Sequence, residues 1–380
     1  MPEGQELDQH YMRRCIELAR KAEGRSSPNP LVGAVVLDQQ GNFAGEGFHP
    51  KAGQPHAEVF ALDQAGENAR GGTLYVNLEP CCHFGKTPPC ADRVIASGIS
   101  RVVYGLQDPN PKVLGGGLEK LRQANIQVDG PLLEAECAKL NRAFIKRITK
   151  GMPWVALKIA STLDGRIADR YSKSQWITGA ESRKYVHELR NRFDCVFVGT
   201  NTVIQDNPSL TVRNLPDSRN PHRAVLDANL RIPASSKVFD CAQGVRTFLF
   251  TRKESIASLN STKDKEKYNE NIEMIPVAML DSKVKLEECL SYLSLQGVLT
   301  VLCEGGGKLA ASLLESNLVD ELFWFCAPKL LIDEDARPSL CGSAQRPMGS
   351  ILELPKPNYV QLGQDLLIHV EDLAHAGLPT

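Results

Sequence analysis

Strand-length apolar runs alternate with helix-period runs along the whole chain, and that alternation predicts an α/β fold in which helices cover a sheet. Two further observations divide it. At 380 residues the chain exceeds one ordinary domain. The stretch Lys150-Gly151-Met152-Pro153 reads as a joint, because the strand pattern restarts at Trp154 directly after it. Two α/β domains are therefore expected, residues 1–149 and 150–380.

In the first domain Leu7, Tyr11, Cys15, Leu18 and Ala22 recur three or four apart, which is one face of a helix over Leu7–Ala22. Gly24 through Pro30 stops that helix and forms a loop. Leu31–Leu37 is an apolar run of strand length, Gly41 and Asn42 supply a turn, and Gly45–Phe48 pairs back, leaving His49 at its end. His56–Ala65 reads as a helix, Thr73–Leu78 as a strand, Ala91–Ser97 as a short helix closed by Gly98, and Arg101–Leu106 as a strand. Leu118–Ala124, Ile126–Val128 and Leu133–Ile148 complete the α/β unit.

The second domain opens with the strand Trp154–Ala160, then a helix at Ala180–Asn191 and a buried-type strand at Cys195–Gly199. A helix or turn follows at Asn201–Gln205, and Arg223–Leu226 and Val245–Phe250 are strands. Lys253–Glu273 is charged and poor in apolar residues, so a solvated connection is expected there. Val298–Cys303 is a strand that runs through Glu304-Gly305-Gly306-Gly307-Lys308 into the helix Leu309–Ser316, and Leu322–Ala327 and Tyr359–Val370 supply closing strands.

Composition narrows the function classes. A net charge of −1 disfavours a phosphate-neutralising surface, so a nucleic-acid partner is not expected. No apolar stretch reaches the roughly 18–20 residues of a membrane span, and the polar N-terminus lacks a signal region, which together imply a cytoplasmic protein. Of eleven cysteines, eight (Cys15, Cys137, Cys195, Cys241, Cys289, Cys303, Cys326 and Cys341) show no regular spacing and read as reduced, mostly buried thiols.

The remaining three belong to the stretch on which the chemistry turns, from His56-Ala57-Glu58 to Glu79-Pro80-Cys81-Cys82-His83-Phe84-Gly85-Lys86-Thr87-Pro88-Pro89-Cys90. His56, Cys81 and Cys90 can supply three zinc ligands and leave a fourth position open, whereas a structural site normally has four protein ligands in compact pairs. Glu58, beside the histidine, is placed to move protons without being a ligand. Such a set suits hydrolytic removal of an amine from a ring carbon. Cys82 points away from Cys81 on an extended segment, and His83 suits a substrate contact better than a metal. Cys90 opens a helix, so its thiolate is expected to be favoured. The Gly305-Gly306-Gly307 turn can admit a phosphate at a helix N-terminus, although taken alone a tight structural turn is the better explanation.

These stretches, with Pro28-Asn29-Pro30-Leu31-Val32-Gly33, Ser161-Thr162-Leu163-Asp164-Gly165-Arg166, Ser174-Gln175-Trp176-Ile177-Thr178, Asp206-Asn207-Pro208-Ser209-Leu210-Thr211-Val212-Arg213 and Glu304-Gly305-Gly306-Gly307, resemble the bifunctional riboflavin-biosynthesis deaminase/reductases along nearly the whole chain. Two unrelated motif sets in the right order make the resemblance specific. It implies an N-terminal cytidine-deaminase-like α/β/α domain and a C-terminal dihydrofolate-reductase-like α/β domain. The first would deaminate 2,5-diamino-6-ribosylamino-4(3H)-pyrimidinone 5′-phosphate with zinc. The second would reduce the ribosyl group of that product to ribityl with NADPH.

By matching position the resemblance assigns zinc to His56, Cys81 and Cys90, and proton transfer to Glu58. It assigns the deaminase substrate to Asn29, His49, His83, Lys86, Asp108 and Asn110. The reductase substrate would meet Ser174, Arg190, Leu210, Arg213 and Glu304, and NADPH would meet Ala160, Trp176, Thr202, Asp206, Gly306, Gly307, Lys308 and Leu309. A homodimer or homotetramer is implied as well. Two departures stand out: Cys82 where the family carries serine, and Ser161-Thr162 in place of Ala-Ser. The rival reading, a nucleoside or tRNA deaminase with an unrelated C-terminal domain, would leave the second motif set unexplained.

Overall fold

The structure, a computed structural model, describes residues 3–84, 88–111, 113–240, 244–259, 271–280, 283–343 and 347–373. Contacts divide the chain into two compact units, Met1–Met152 and Pro153–Thr380. The boundary expected at 149/150 falls in the last turn of a helix, just ahead of that division.

The first unit runs α1 (Glu3–Arg20), β1 (Gly33–Leu37), β2 (Phe43–Phe48), α2 (Ala57–Ala65), β3 (Thr73–Val76), α3 (Cys90–Ala96), β4 (Arg101–Tyr104), α4 (Gly116–Gln123), β5 (Gln127–Asp129), α5 (Glu134–Leu140) and α6 (Arg142–Lys150). Its sheet has the order β2-β1-β3-β4-β5, antiparallel across β1 and parallel from β3 to β5. The run Gly33-Ala-Val-Val-Leu37 is buried throughout because both sheet faces are covered. Alternation sends Ala34 and Val36 into one core with Leu62, Val94 and Leu121, and Val35 and Leu37 into the other with Met12, Cys15 and Cys137. That makes the layers α/β/α.

The segment Leu133–Ile148 holds two helices, α5 and most of α6. Asn141, 2% exposed, breaks it by accepting the Leu31 N–H at 2.8 Å and donating to the Leu31 carbonyl at 3.0 Å. A side chain that bonds remote backbone in this way competes with helix propagation. It also fixes Leu31 next to the Asn29 loop.

The second unit runs β6 (Trp154–Thr162), β7 (Arg166–Ala168), α7 (Ala180–Arg192), β8 (Cys195–Gly199), α8 (Thr200–Asp206), β9 (His222–Leu226), β10 (Thr247–Arg252), α9 (Lys253–Ala257), β11 (Ile272–Val277), β12 (Met279–Leu280), β13 (Lys283–Val284), α10 (Leu286–Leu295), β14 (Thr300–Cys303), α11 (Gly307–Glu315), β15 (Glu321–Ala327), β16 (Arg337–Pro338), β17 (Asn358–Leu362) and β18 (Asp365–Val370). Nine strands form one sheet in the order β11-β10-β9-β8-β14-β6-β15-β18-β17, parallel as far as β15 and antiparallel at its last two strands. This is the dihydrofolate-reductase-like domain.

One expectation is corrected here. The stretch from Lys253 to Glu273 is not wholly a connection, since α9 opens it and the edge strand β11 begins at Ile272. One-sided burial gave Ile272–Val277 too weak an apolar signal. Cys341 is exposed and Cys326 half-buried, whereas Cys15, Cys137, Cys195, Cys289 and Cys303 are buried free thiols, and Cys241 lies outside the described residues. Among the described residues no helix is long and apolar enough to cross a membrane.

Candidate active sites

His56 is the N-cap of α2, Cys81 lies in the loop after β3, and Cys90 is the first residue of α3. His56 Nδ1 lies 3.1 Å from Cys90 Sγ and 3.6 Å from Cys81 Sγ, and the three donor atoms all lie within 4.8 Å of one another. Two soft thiolates and an imidazole on this triangle fit zinc. Glu58, in the first turn of α2, is 3% exposed, and its Oε2 has no hydrogen-bond partner. Burial pushes its carboxyl up, offset in part by His56. A buried carboxylate oxygen held open beside a metal triangle is what a proton carrier requires.

Between the two thiols the negative charge is favoured at Cys81, where the sequence pointed to Cys90. The Cys90 backbone N–H, the free donor at the start of α3, points to Cys81 Sγ at 3.3 Å. Cys81 is held below the usual thiol range, first by the Cys90 thiol and then, against burial, by His56 and that N–H; Cys90 is pushed up by the same contact. One prediction follows for protein stripped of zinc with a chelator. Its Cys81 alkylates with iodoacetamide at a pH below that at which an ordinary thiol reacts, and zinc protects it. Peptide mapping that finds Cys81 inert below pH 8 would contradict this charge assignment.

Around the triangle, His49 is 2% exposed and packs edge-on against His56 with ring centroids 5.2 Å apart. Burial keeps it below its ordinary pKa, so it is neutral. Its Nδ1–H donates to the Pro55 carbonyl at 3.0 Å, which leaves Nε2 to accept the Asn29 amide at 2.9 Å. The orientation of Asn29 is thereby set. His83 Nδ1 is buried without a partner. Asp108 is raised to about 6 by burial, with a smaller contribution from Glu79, and its Oδ1 accepts the Asn110 N–H at 2.8 Å. Lys86 lies outside the described residues.

The second unit holds a cleft of about 1710 Å³. Every residue expected to meet the reductase substrate or NADPH lines it: Ser174, Arg190, Leu210, Arg213 and Glu304, with Ala160, Trp176, Thr202, Asp206 and Gly306 through Leu309. Gly306 is the N-cap of α11, and its N–H donates to Thr202 Oγ1 at 3.1 Å, tying α11 to α8. Gly307 admits no side chain, since a Cβ there would lie 2.6 Å from the Pro338 carbonyl oxygen. Arg183 stacks over the half-exposed ring of Trp176 at 4.6 Å.

Sequence reasoning missed Lys158. It is the one charged residue in the apolar strand Trp154–Thr162, a signal that was available. Its Nζ lies 3.8 Å from Glu304 Oε2, and Glu304 accepts Arg190 Nε at 2.6 Å and Nη2 at 2.9 Å. Burial would raise Glu304, but Arg190 and Lys158 outweigh it and hold the carboxylate ionised. Burial lowers Lys158, with Glu304 and Asp206 opposing. Burial also raises Asp206, whose Oδ1 accepts the Ser174 hydroxyl at 3.0 Å.

Residues 153–368 match the family described as RibD C-terminal domain, and residues 5–106 match the cytidine and deoxycytidylate deaminase zinc-binding region. The riboflavin biosynthesis protein RibD of Aquifex aeolicus is 43% identical over 363 residues, spanning 96% of this chain and 98% of that protein. Its Escherichia coli namesake is 37% identical over 380 residues, spanning 96% and 99%. Among solved structures, Acinetobacter baumannii RibD superimposes with a TM-score of 0.86 at 36% identity, over 97% of this chain and 100% of that one. A Thermotoga maritima diaminohydroxyphosphoribosylaminopyrimidine deaminase/5-amino-6-(5-phosphoribosylamino)uracil reductase does so with 0.82 at 38% identity, over 97% and 100%.

Proposed function

The chain belongs to the RibD family, the bifunctional deaminase/reductases of riboflavin biosynthesis, and from that premise we infer that His56, Cys81 and Cys90 hold its zinc while Glu58 moves the protons of deamination. Zinc, when bound, polarises water and brings its pKa to about 7. Glu58 Oε2 takes one proton as the water oxygen bonds to C2 of the diaminopyrimidinone and passes it to the ring nitrogen; it then takes the second proton from the new C2 hydroxyl and delivers it to the amine, which leaves as ammonia as the C2 carbonyl forms. The observation that carries this reading is the unpartnered Oε2 buried beside the metal triangle. Asn29, His49, His83, Lys86, Asp108 and Asn110 bind this substrate.

In the reductase domain NADPH supplies a hydride to the sugar C1′ in its open-chain or imine form. The proton that accompanies reduction is drawn from the Lys158–Glu304–Asp206 cluster. Ser174, Leu210 and Arg213 hold the substrate, with Arg213 at its phosphate, because Arg190 is committed to Glu304 and to the Thr211 carbonyl. Ala160, Trp176, Thr202, Asp206 and Gly306 through Leu309 hold NADPH. The functional division lies at 149/150. The protein works in the cytoplasm as a homodimer or homotetramer and without nucleic acid, in keeping with its near-zero net charge.

The test adds 2,5-diamino-6-ribosylamino-4(3H)-pyrimidinone 5′-phosphate and NADPH to the enzyme and follows ammonia and 340 nm absorbance together. Ammonia is expected to appear ahead of NADPH loss. NADPH loss without ammonia would reverse the order of the two steps.

A further inference from the structure

The triplet Gly115-Gly116-Gly117 leads into α4. A glycine-rich turn opening a helix ordinarily cradles an external anion. In this domain the anion is internal. The Glu79 carboxylate, 3% exposed, accepts four backbone N–H groups: Asp108 at 3.3 Å and Gly115 at 3.0 Å on Oε2, Gly117 at 3.0 Å and Leu118 at 3.4 Å on Oε1. Gly117 is dictated by this approach, since a Cβ there would lie 1.9 Å from the Pro80 carbonyl oxygen and 3.3 Å from Glu79 Oε1.

Glu79 stands two residues before Cys81, and its own N–H donates to the Leu106 carbonyl at 2.8 Å. One carboxylate thus joins the segment that delivers the first thiol to the segment that delivers Asp108 and Asn110. Because Asp108 Oδ1 in turn accepts the Asn110 N–H, the setting of both side chains follows from the backbone that Glu79 grips.

We propose that Glu79 is a positioning residue of the deaminase site, whose carboxylate sets the Asp108–Asn110 turn so that substrate affinity, rather than metal binding, depends on it. The proposal rests on reading Asp108 and Asn110 as substrate contacts. A glutamine cannot substitute: it offers one acceptor oxygen where two are used, and it turns an NH₂ toward N–H donors.

The test measures zinc content, deamination kinetics and reduction of the separately supplied deaminated product for Glu79→Gln, Asp108→Asn and the double variant. Glu79→Gln is expected to keep zinc and reduction and to raise KM for deamination roughly tenfold, with kcat nearly unchanged. In the Asp108→Asn background the same change adds little, because the effect passes through Asp108. An unchanged KM for Glu79→Gln, where Asp108→Asn raises it, overturns the positioning role. An unchanged KM for Asp108→Asn overturns the contact reading beneath it. Should Glu79→Gln not fold, Glu79→Asp keeps the charge on a shorter arm and is measured in the same way; zinc loss accompanying its KM change would overturn the proposal.

Discussion

Glu58→Gln retains zinc and loses ammonia release, with deamination slowed by about 10²–10⁴-fold. The substitution replaces the acid/base oxygen by a group of the same shape that cannot accept a proton at neutral pH. Glu58 is not one of the three donor atoms of the triangle, so metal content is expected to hold. Its Oε2 is buried and unpartnered, so no other hydrogen bond is sacrificed at that atom. The variant also separates the two domains, since supplied deaminated product is still reduced at the wild-type rate while the pyrimidine substrate no longer drives NADPH loss. Ammonia release at near wild-type rate would mean that another group moves the proton. Loss of zinc would place Glu58 in the support of the metal instead.

Glu304→Gln eliminates NADPH-dependent reduction and leaves deamination intact. Two largely buried cations depend on this carboxylate, Arg190 through two hydrogen bonds and Lys158 at 3.8 Å. Removing one partner of a buried ion pair costs on the order of 3–5 kcal/mol, so the reductase domain should also unfold at a lower temperature. The measurement pairs NADPH oxidation and ammonia release with calorimetry of the whole chain. If only zinc content fell, the assignment of the two activities to separate domains would fail. If reduction survived with a lowered transition, Glu304 would be an anchor for Arg190 and not part of the reacting cluster.

Much of this was legible in the residues. His56-Ala57-Glu58 and the nine-residue spacing of Cys81 and Cys90 specify a ligand set with a carboxylate beside it, since local spacing controls which short segments can converge. The unbroken apolar run Leu31–Leu37 marked the strand β1 for a similarly local reason. Less legible was the edge strand β11, whose burial is one-sided. Glu79, Asn141 and Lys158 escaped notice because each is explained by partners far along the chain.

The sequence by itself determined the class of chemistry, the α/β architecture and the identity of the candidate ligands, because periodicity and short-range spacing carry those. Tertiary structure alone decided the charges. The charge is favoured at Cys81 over Cys90 because the Cys90 thiol, then His56 and the N–H at the start of α3, all serve Cys81. Glu304 stayed ionised and Lys158 was lowered only because burial and remote partners act on both. The Gly115–Gly117 turn holds an internal anion because the fold brings Glu79 to it from a remote segment. Protonation and hydrogen-bond partnership depend on excluded water and on distances between segments remote in sequence, and those exist only in the folded chain.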